Sequence, residues 1–293
     1  MDPSIEPAQQ LLIEKWLKQT LVAMSTIHGA YPSDHFSITV RPYEHHNSWF
    51  DLGRSPDQIS PVPWGQIRRG NRNQPDEVLL VVNLARSYGD LVNDWTIYHE
   101  LSHLLIPYRY GARWFTEGLA SYYQNLVQAR HGLFDEKTMW RKLMSGFERG
   151  VNADRYDGHS LSRVSRESLR GTTMRVYWSG VLYWLEIDVA LREAGSSLDE
   201  ALLNLKKHLE LQGASGRYSA NTIAQLLDTA NNTKLFTTRF TRFAASTRMP
   251  PYLPIFKKLG IEPSAQDVIL KSASLSQVRT AISQPRHAEA FQD

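Results

Sequence analysis

The pattern of apolar and polar positions divides the chain into a front part with short strands and a longer helical remainder. Apolar residues around Trp16 recur at helical spacing and predict a helix over residues 11–27. Two runs rich in β-branched and apolar residues, Phe36–Val40 and Glu77–Val82, predict strands, and a weaker strand is expected at Trp64–Arg68. The front part is therefore expected to contain a small sheet.

From residue 90 onward the apolar spacing is mainly helical. The predicted helices cover residues 90–106, 112–130, 174–194, 197–211, 219–230 and 234–245. Ser197 and Glu200 form an S-x-x-E capping box at the start of one of them. Residues 150–172 are polar and rich in Arg and Ser, which predicts a long surface loop, and residues 277–293 are expected to be a loose end.

These elements predict an α+β fold, with a small β-containing N-terminal lobe and a larger helical C-terminal lobe. A chain of 293 residues is long enough to bury the core of one large domain or of two lobes. We expect residues 1–110 to form the first lobe and residues 111–293 the second, with both making one functional unit.

Composition excludes several classes of partner and chemistry. Lys and Arg number 33 against 30 Asp and Glu, and basic residues form no long run, so no nucleic-acid partner is expected. No stretch of about eighteen apolar residues occurs, so no membrane span is predicted. The absence of cysteine excludes disulfides and thiolate ligands, which leaves histidine and carboxylate side chains to hold any metal ion.

The sequence indicates the cellular compartment less strongly. The first residues do not have the composition of a signal peptide, and a chain without cysteine is compatible with oxidising and reducing surroundings. We favour an exported protein, periplasmic or secreted, whose leader has been removed. The sequence predicts no particular oligomeric state.

The most informative motif is His-Glu-x-x-His, formed by His99, Glu100 and His103. Residues four apart on a helix lie on one face, so both imidazoles can reach a single ion. Glu100 is offset by about 100° and can address a water on that ion without ligating it. Asp90 is a plausible N-cap and Pro107 marks the helix end. The alternative is a pair of structural histidines on a buried helix.

A third ligand candidate, Glu117, follows on the next predicted helix among aromatic residues. A catalytic zinc ion has three protein ligands and one open position, and an unpaired buried carboxylate is costly. The pattern predicts one Zn²⁺ per chain, held by His99, His103 and Glu117. The alternative is an exposed glutamate favoured by its place near a helix start.

A second segment, Glu-Gly-Leu-Ala-Ser-Tyr-Tyr, begins at Glu117. Together with His-Glu-x-x-His it resembles the sequence motifs of the gluzincin metallopeptidases. The glycyl aminopeptidase family is most similar, and the aminopeptidase N family is more distantly similar. Val176–Gly180 and Ser197–Glu200 are similar to the Tyr-x-x-Gly helix and the Ser-Leu-Asp segment of these families. The resemblance covers roughly residues 75–262 and implies a thermolysin-like metallopeptidase fold with the zinc site where the lobes meet.

The resemblance implies a reaction and roles. Peptide or protein substrates would be hydrolysed by a metal-activated water with Glu100 as general base, and Glu117 would be the third ligand. Tyr177 matches the tyrosine whose hydroxyl stabilises the oxyanion, although it is also suited to be a packing residue. The alternative function is a catalytically idle, gluzincin-like module that binds peptides and keeps a structural metal.

The chain departs from these families at three points. The interval between His103 and Glu117 is shorter than in the aminopeptidase N relatives. The segment Pro63–Arg68, which corresponds to the strand whose glutamate grips a substrate amino terminus, has no carboxylate. Fewer than a hundred residues precede the motif helix here, so we expect no counterpart of the large N-terminal β domain in this sequence.

Four further candidates remain open. Ser121 and Asp94 could contact the ligands, or be ordinary polar residues of a helix. Arg175 could meet a substrate, or be a surface arginine. His45 and His46 are adjacent, and neighbours on a strand face opposite ways, so no second metal is expected there.

Overall fold

The computed structural model describes residues 2–28, 35–44, 55–70, 74–213 and 216–284. The helices are α1 Pro7–Ser25, α2 Tyr88–Asn93, α3 Thr96–Ser102, α4 Arg113–Arg130, α5 Glu136–Val151, α6 Leu161–Glu167, α7 Thr173–Glu193, α8 Leu198–Leu211, α9 Ala220–Ala230, α10 Leu235–Ala245, α11 Leu253–Leu259 and α12 Ser276–Ser283. The strands are β1 Phe36–Pro42, β2 Trp64–Arg68, β3 Asp76–Val82, β4 Tyr108–Tyr110, β5 Tyr218–Ser219, β6 Ile261–Ser264 and β7 Asp267–Leu270. Short 3₁₀ turns cover Pro56–Gln58 and His103–Leu105.

The front sheet contains the three predicted strands in the order β1-β3-β2, with β1 parallel and β2 antiparallel to β3. Central β3 carries the run of valines and leucines, and five of its seven residues are buried. Strand β2 forms an edge of this sheet and packs against α3. The mixed helical and strand content confirms the predicted α+β class.

The predicted helix over residues 90–106 is broken into α2 and α3. Asp94 ends α2 in an extended conformation, and its Oδ1 accepts a hydrogen bond of 2.7 Å from the N–H of Thr96 at the start of α3. The predicted N-cap, Asp90, is wrong. Ser87 caps α2, and Asp90 completes the capping box from the third helical position.

Several elements were not predicted from the sequence. They are α5, α6, α11, α12, the short strands β4 and β5, and the β6–β7 hairpin. Helix α6 lies inside the predicted loop at 150–172, and α12 covers part of the predicted loose end, so both loop predictions are wrong in part. Asp135 caps the start of helix α5, and its side chain accepts from the N–H of Thr138. The helix buries an apolar face that includes Trp140 and Phe147.

The core of the helical part is the packing of α4 against α7. Trp114 and Phe115 on α4 meet Tyr183 and Trp184 on α7 in edge and tilted ring contacts. The indole N–H of Trp184 also donates to the carbonyl oxygen of Phe115 at 2.7 Å. No helix within the described ranges combines the length and the apolar character needed to cross a lipid bilayer.

Two glycines allow these helices to touch through their backbones. A Cβ on Gly118 would lie 2.3 Å from the carbonyl carbon of Gly180, and a Cβ on Gly180 would lie 1.8 Å from the carbonyl oxygen of Trp114. Real Cβ atoms do not approach backbone so closely, so any larger residue would separate the helices. The crossing point lies one residue after Glu117 and three after Tyr177.

We predict that Gly180→Ala lowers the free energy of unfolding by about 3 kcal/mol, because backbone must move to admit the new methyl group. Gly89→Ala is the control, since the nearest atom to its Cβ would be 3.8 Å away. That helix substitution should leave stability unchanged or raise it by up to about 1 kcal/mol. Urea unfolding of both variants tests this prediction, and equal stability would contradict it.

Candidate metal centre

Helix α3 and the 3₁₀ turn that continues it present His99 and His103 on one face. The two imidazole rings lie 4.9 Å apart between centroids, at an interplanar angle of 88°. Both side chains are buried, as is most of the surface of α3. The four-residue spacing therefore brings the two rings together as the motif predicts.

Helix α4 brings the carboxylate of Glu117 to these rings. Its Oε2 lies 3.2 Å from Nε2 of His99 and 3.7 Å from Nε2 of His103, and the three donor atoms all lie within 4.8 Å of one another. Three donors about 2.0–2.1 Å from a tetrahedral zinc ion are roughly 3.3 Å apart. The two distances from Glu117 are close to this value, and two imidazoles with one carboxylate are a donor set that could hold a metal ion such as zinc.

The charge states of these three groups are set by burial and by each other. Burial lowers the pKa of His103 to about 3. Burial also lowers the pKa of His99, but the hydrogen bond and charge of Glu117 more than offset this and raise it overall. Burial acts to raise the pKa of Glu117, and the histidines bring it down to about 2. Metal binding would release the proton from His99, because a ligating imidazole is neutral.

Glu100 lies beside this group and outside it. Burial raises its pKa to about 7, and the backbone N–H of Ile67 on β2 donates to its carboxylate. Strand β2 approaches so closely that a Cβ on Gly65 would lie 2.7 Å from Cγ of Glu100. A bound cation would lower this pKa, because an opposite charge favours the carboxylate. The edge strand thus holds the carboxylate of Glu100 beside the ligand group and outside it.

Tyr177 reaches the same place from α7. Its ring stacks on that of His99 at 6.1 Å between centroids, and its hydroxyl hydrogen-bonds to Glu117. Burial first, and then the charge of Glu117, raise the pKa of Tyr177, so its hydroxyl stays protonated. Nη2 of Arg113 donates to this hydroxyl at 3.3 Å. Arg113 was missed from the sequence, although it lies one helical turn before Glu117.

The second ring nitrogen of His99 has a partner that sequence reasoning also missed. Nδ1 lies 2.8 Å from Oε1 of Gln124, so Nδ1–H donates and Nε2 is left facing Glu117. Such contacts fix the orientation of a ligating histidine. Gln124 follows Glu117 by seven residues, which is two turns along the same face of α4, and that spacing was the available signal.

The two residues proposed for such a role lie elsewhere. The carboxylate of Asp94 accepts from the backbone N–H groups of Thr96 and Val62, at 2.7 and 3.3 Å. Ser121 is buried on α4, and its backbone carbonyl accepts from Nδ2 of Asn125. The observed partner of the His99 ring is therefore Gln124.

The end of the motif helix is held by a partly buried arginine. Nη2 of Arg69 donates to the carbonyl oxygens of His103 and Ile106, at 2.6 and 3.3 Å. Nη1 of Arg69 pairs with Asp76 at 3.0 Å, and Asp76 also pairs with Arg217. This network joins the sheet to the C-terminal end of the motif helix and keeps His103 in place.

The remaining candidates do not join the centre. Arg175 is buried, which contradicts the surface alternative, and it donates to the carbonyl oxygens of Tyr156, His159 and Ser246. It is therefore a structural residue. The expectation about His45 and His46 falls outside the described residues.

The part of the chain that carries the candidate ligands matches a known family. Residues 97–185, which include the motif, Glu117 and Tyr177, match the family described as M61 glycyl aminopeptidase. The comparison with curated proteins gave no match. The predicted resemblance to the gluzincin aminopeptidases is confirmed.

Solved structures give the fold. An aminopeptidase N family protein from Idiomarina loihiensis superimposes with a TM-score of 0.58 at 16% identity, over 87% of this chain and 48% of that one. An M1 zinc metallopeptidase from Deinococcus radiodurans gives a TM-score of 0.40 at 12% identity, over 86% and 47%. The chain thus spans about half the length of these proteins. The first likeness shows that the fold is that of part of an aminopeptidase N family protein.

We predict that Glu117→Ala weakens zinc binding by more than about 100-fold, because it removes one of three donors. Ser121→Ala, one turn further along α4, should leave zinc affinity unchanged. Titration of both metal-free variants with zinc against a competing chelator measures the difference. Equal affinities would contradict the assignment of Glu117.

A second prediction concerns Gln124. Gln124→Leu keeps the size of the side chain but removes the acceptor that orients His99, and should weaken zinc binding by roughly 10- to 100-fold. Gln128→Leu is the control, since that residue lies one turn later and its amide bonds to Asn93 instead. The same zinc titration measures both affinities. An equal loss of zinc affinity in the two variants would count against the orienting role of Gln124.

Proposed function

We propose that this protein is a zinc-dependent peptidase that hydrolyses peptide bonds. One observation carries the proposal: His99, His103 and Glu117 converge on one point while the Glu100 carboxylate lies beside them and bonds elsewhere. Such a set leaves one coordination position open, as in catalytic zinc sites. The family match over residues 97–185 supports a peptidase.

The donors come from both parts of the chain. His99 and His103 lie in residues 1–110, and Glu117 lies in residues 111–293. We therefore propose that these two parts are lobes of one catalytic unit. A zinc ion held between them supplies a Lewis acid and lowers the pKa of a bound water towards neutrality.

Glu100 is the proposed general base. Its carboxylate takes a proton as the water oxygen attacks the scissile carbonyl carbon, and later gives that proton to the leaving nitrogen as the C–N bond breaks. The N–H of Ile67 and the close approach of Gly65 hold the carboxylate still through both steps. The products are a carboxylic acid and an amine.

Tyr177 and Arg113 are the proposed donors to the oxyanion. The hydroxyl of Tyr177 is neutral, and Arg113 bonds to it from the more exposed side. Negative charge develops on the carbonyl oxygen during attack, and a fixed donor aimed at that charge lowers the barrier. The hydroxyl, now bonded to Glu117, would turn towards the oxyanion.

The proposal does not include specificity for an amino terminus. Strand β2, which lies against Glu100, offers backbone groups and the side chains of Trp64, Gln66, Ile67 and Arg68, with no carboxylate. A protonated amine would find no counter-ion on this strand. The substrate class is therefore a peptide or protein, recognised by other groups around the centre.

We predict that Glu100→Gln keeps zinc bound but lowers kcat/KM for peptide hydrolysis by at least about 100-fold, because the amide cannot accept the proton. Glu193→Gln, an exposed substitution at the end of α7, is the control and should keep full activity. Zinc content and cleavage of a mixed fluorogenic peptide library, with and without chelator, are the measurements. Unchanged turnover in the Glu100 variant would contradict the mechanism.

The same experiment tests the alternative of an idle peptide-binding module. A zinc-loaded wild-type protein that binds peptides but cleaves no member of the library would favour that alternative. The buried position and raised pKa of Glu100 are features that a structural metal site does not require.

A further inference from the structure

A groove of about 810 Å³ adjoins the metal centre between α4, α5 and α7. Gln124 and Tyr177, which contact the candidate ligands, line it. Trp95 also lines it and makes an edge contact with the ring of His99 at 5.6 Å between centroids. A peptide bound at the centre would therefore extend into this groove.

The wall formed by α5 is strongly cationic. Arg141, Lys142 and Arg149 all line the groove, and Glu148 is the single carboxylate among its lining residues. Within the described ranges, none of the three cations forms an ion pair with a carboxylate. Apart from the charge interaction of Arg141 with Asp267, these charges can act on a ligand, and the walls of a groove concentrate such a field.

Arg149 is the most firmly placed of these cations. Its guanidinium carbon lies 5.2 Å above the ring centre of Trp178, and Nη1 donates to Oγ of Ser145 at 2.9 Å. Lys142 is placed in a similar way, with Nζ 4.7 Å above the ring of Phe134. Positioned cations lose less conformational entropy when they bind a carboxylate.

The α4 wall holds an unpaired polar group. Gln128 is only 1% exposed and lines the groove, and its Oε1 has no hydrogen-bond partner among the described residues. Its Nε2 makes one long contact, 3.4 Å, with the carbonyl oxygen of Asn93. A buried carbonyl left without a donor is costly, and an N–H group of a bound peptide would satisfy it.

We propose that this groove binds a carboxylate of the peptide substrate, so that the enzyme selects acidic peptides. The inference rests on the proposed peptidase function and names its substrate class. The α5 cations would pair with the carboxylate while Gln128 accepts from a peptide N–H. The carboxylate would come from an Asp or Glu side chain or from the peptide's C-terminus, since both present the same group.

The test uses fluorogenic peptides of one neutral sequence, with a single Glu or Gln placed at each position in turn. A further pair differs only in a free or amidated C-terminus. For zinc-loaded wild type we expect kcat/KM to favour the acidic member by roughly five- to tenfold at one or two positions, or in the terminal pair. The preference should appear as a lower KM for the acidic peptide, and it should become smaller as the salt concentration rises.

Variants identify the cations responsible. Arg149→Gln, and Arg141→Gln combined with Lys142→Gln, should each remove most of the preference. Lys207→Gln is the matched control, since it removes one exposed charge from α8, which does not line the groove. The control should keep the wild-type ratio between acidic and neutral peptides. Thermal unfolding checks that all variants remain folded.

A binding measurement separates this inference from the proposed function. Fluorescence anisotropy of the same labelled peptides on zinc-loaded Glu100→Gln protein gives the ratio of Kd values without turnover. Charge-selective binding without any cleavage by wild type would overturn the peptidase proposal and leave the groove assignment standing. Equal Kd values for every acidic and neutral pair, or an unchanged ratio in the groove variants, would overturn the inference.

Discussion

The contact on which the candidate site depends is the backbone crossing of α4 and α7 at Gly118 and Gly180. Because neither residue has a side chain, Glu117 and Tyr177 project from two helices into one small space. The same helix, α4, packs against α3 and so carries Glu117 to the imidazoles. A larger residue at the crossing would push Tyr177 away from the ligand group, even with every functional side chain present.

The surroundings of the site shift the pKa values of two carboxylates, Glu117 and Glu100, in opposite directions. The histidines bring the pKa of Glu117 to about 2 against the effect of its burial, so it stays ionised as a donor should. For Glu100 the effect of burial outweighs the charge of His99 and the N–H of Ile67, and its pKa rises to about 7. When environments drive two carboxylates apart in this way, one suits charge and the other suits proton transfer. The backbone of β2 holds Glu100 at the edge of the group and not inside it.

Prediction from the sequence succeeded where the relevant spacing was local. The four-residue spacing of His99 and His103 puts both rings on one face, and the aromatic surroundings of Glu117 indicated that its helix is substantially buried. The break between α2 and α3 was missed because the apolar spacing continues across it. Helix α2 ends where the side chain of Asp94 accepts a hydrogen bond from the backbone N–H of Thr96, and apolar spacing carries no signal of that contact. Gln124 was missed although its spacing was available. Arg69 could not be found, since only the sheet packing brings it to His103.

The charges around the centre suggest how recognition differs from that of an aminopeptidase. A site for a protonated amine places a carboxylate next to the scissile bond, and strand β2 has none. Helix α5, which the sequence pattern did not reveal, contributes three cations to the groove beside the centre. Charge complementarity governs which partner is accepted more than how tightly it is held. In the proposed function, β2 offers no counter-ion to a substrate amine, whereas the α5 cations would favour a substrate carboxylate.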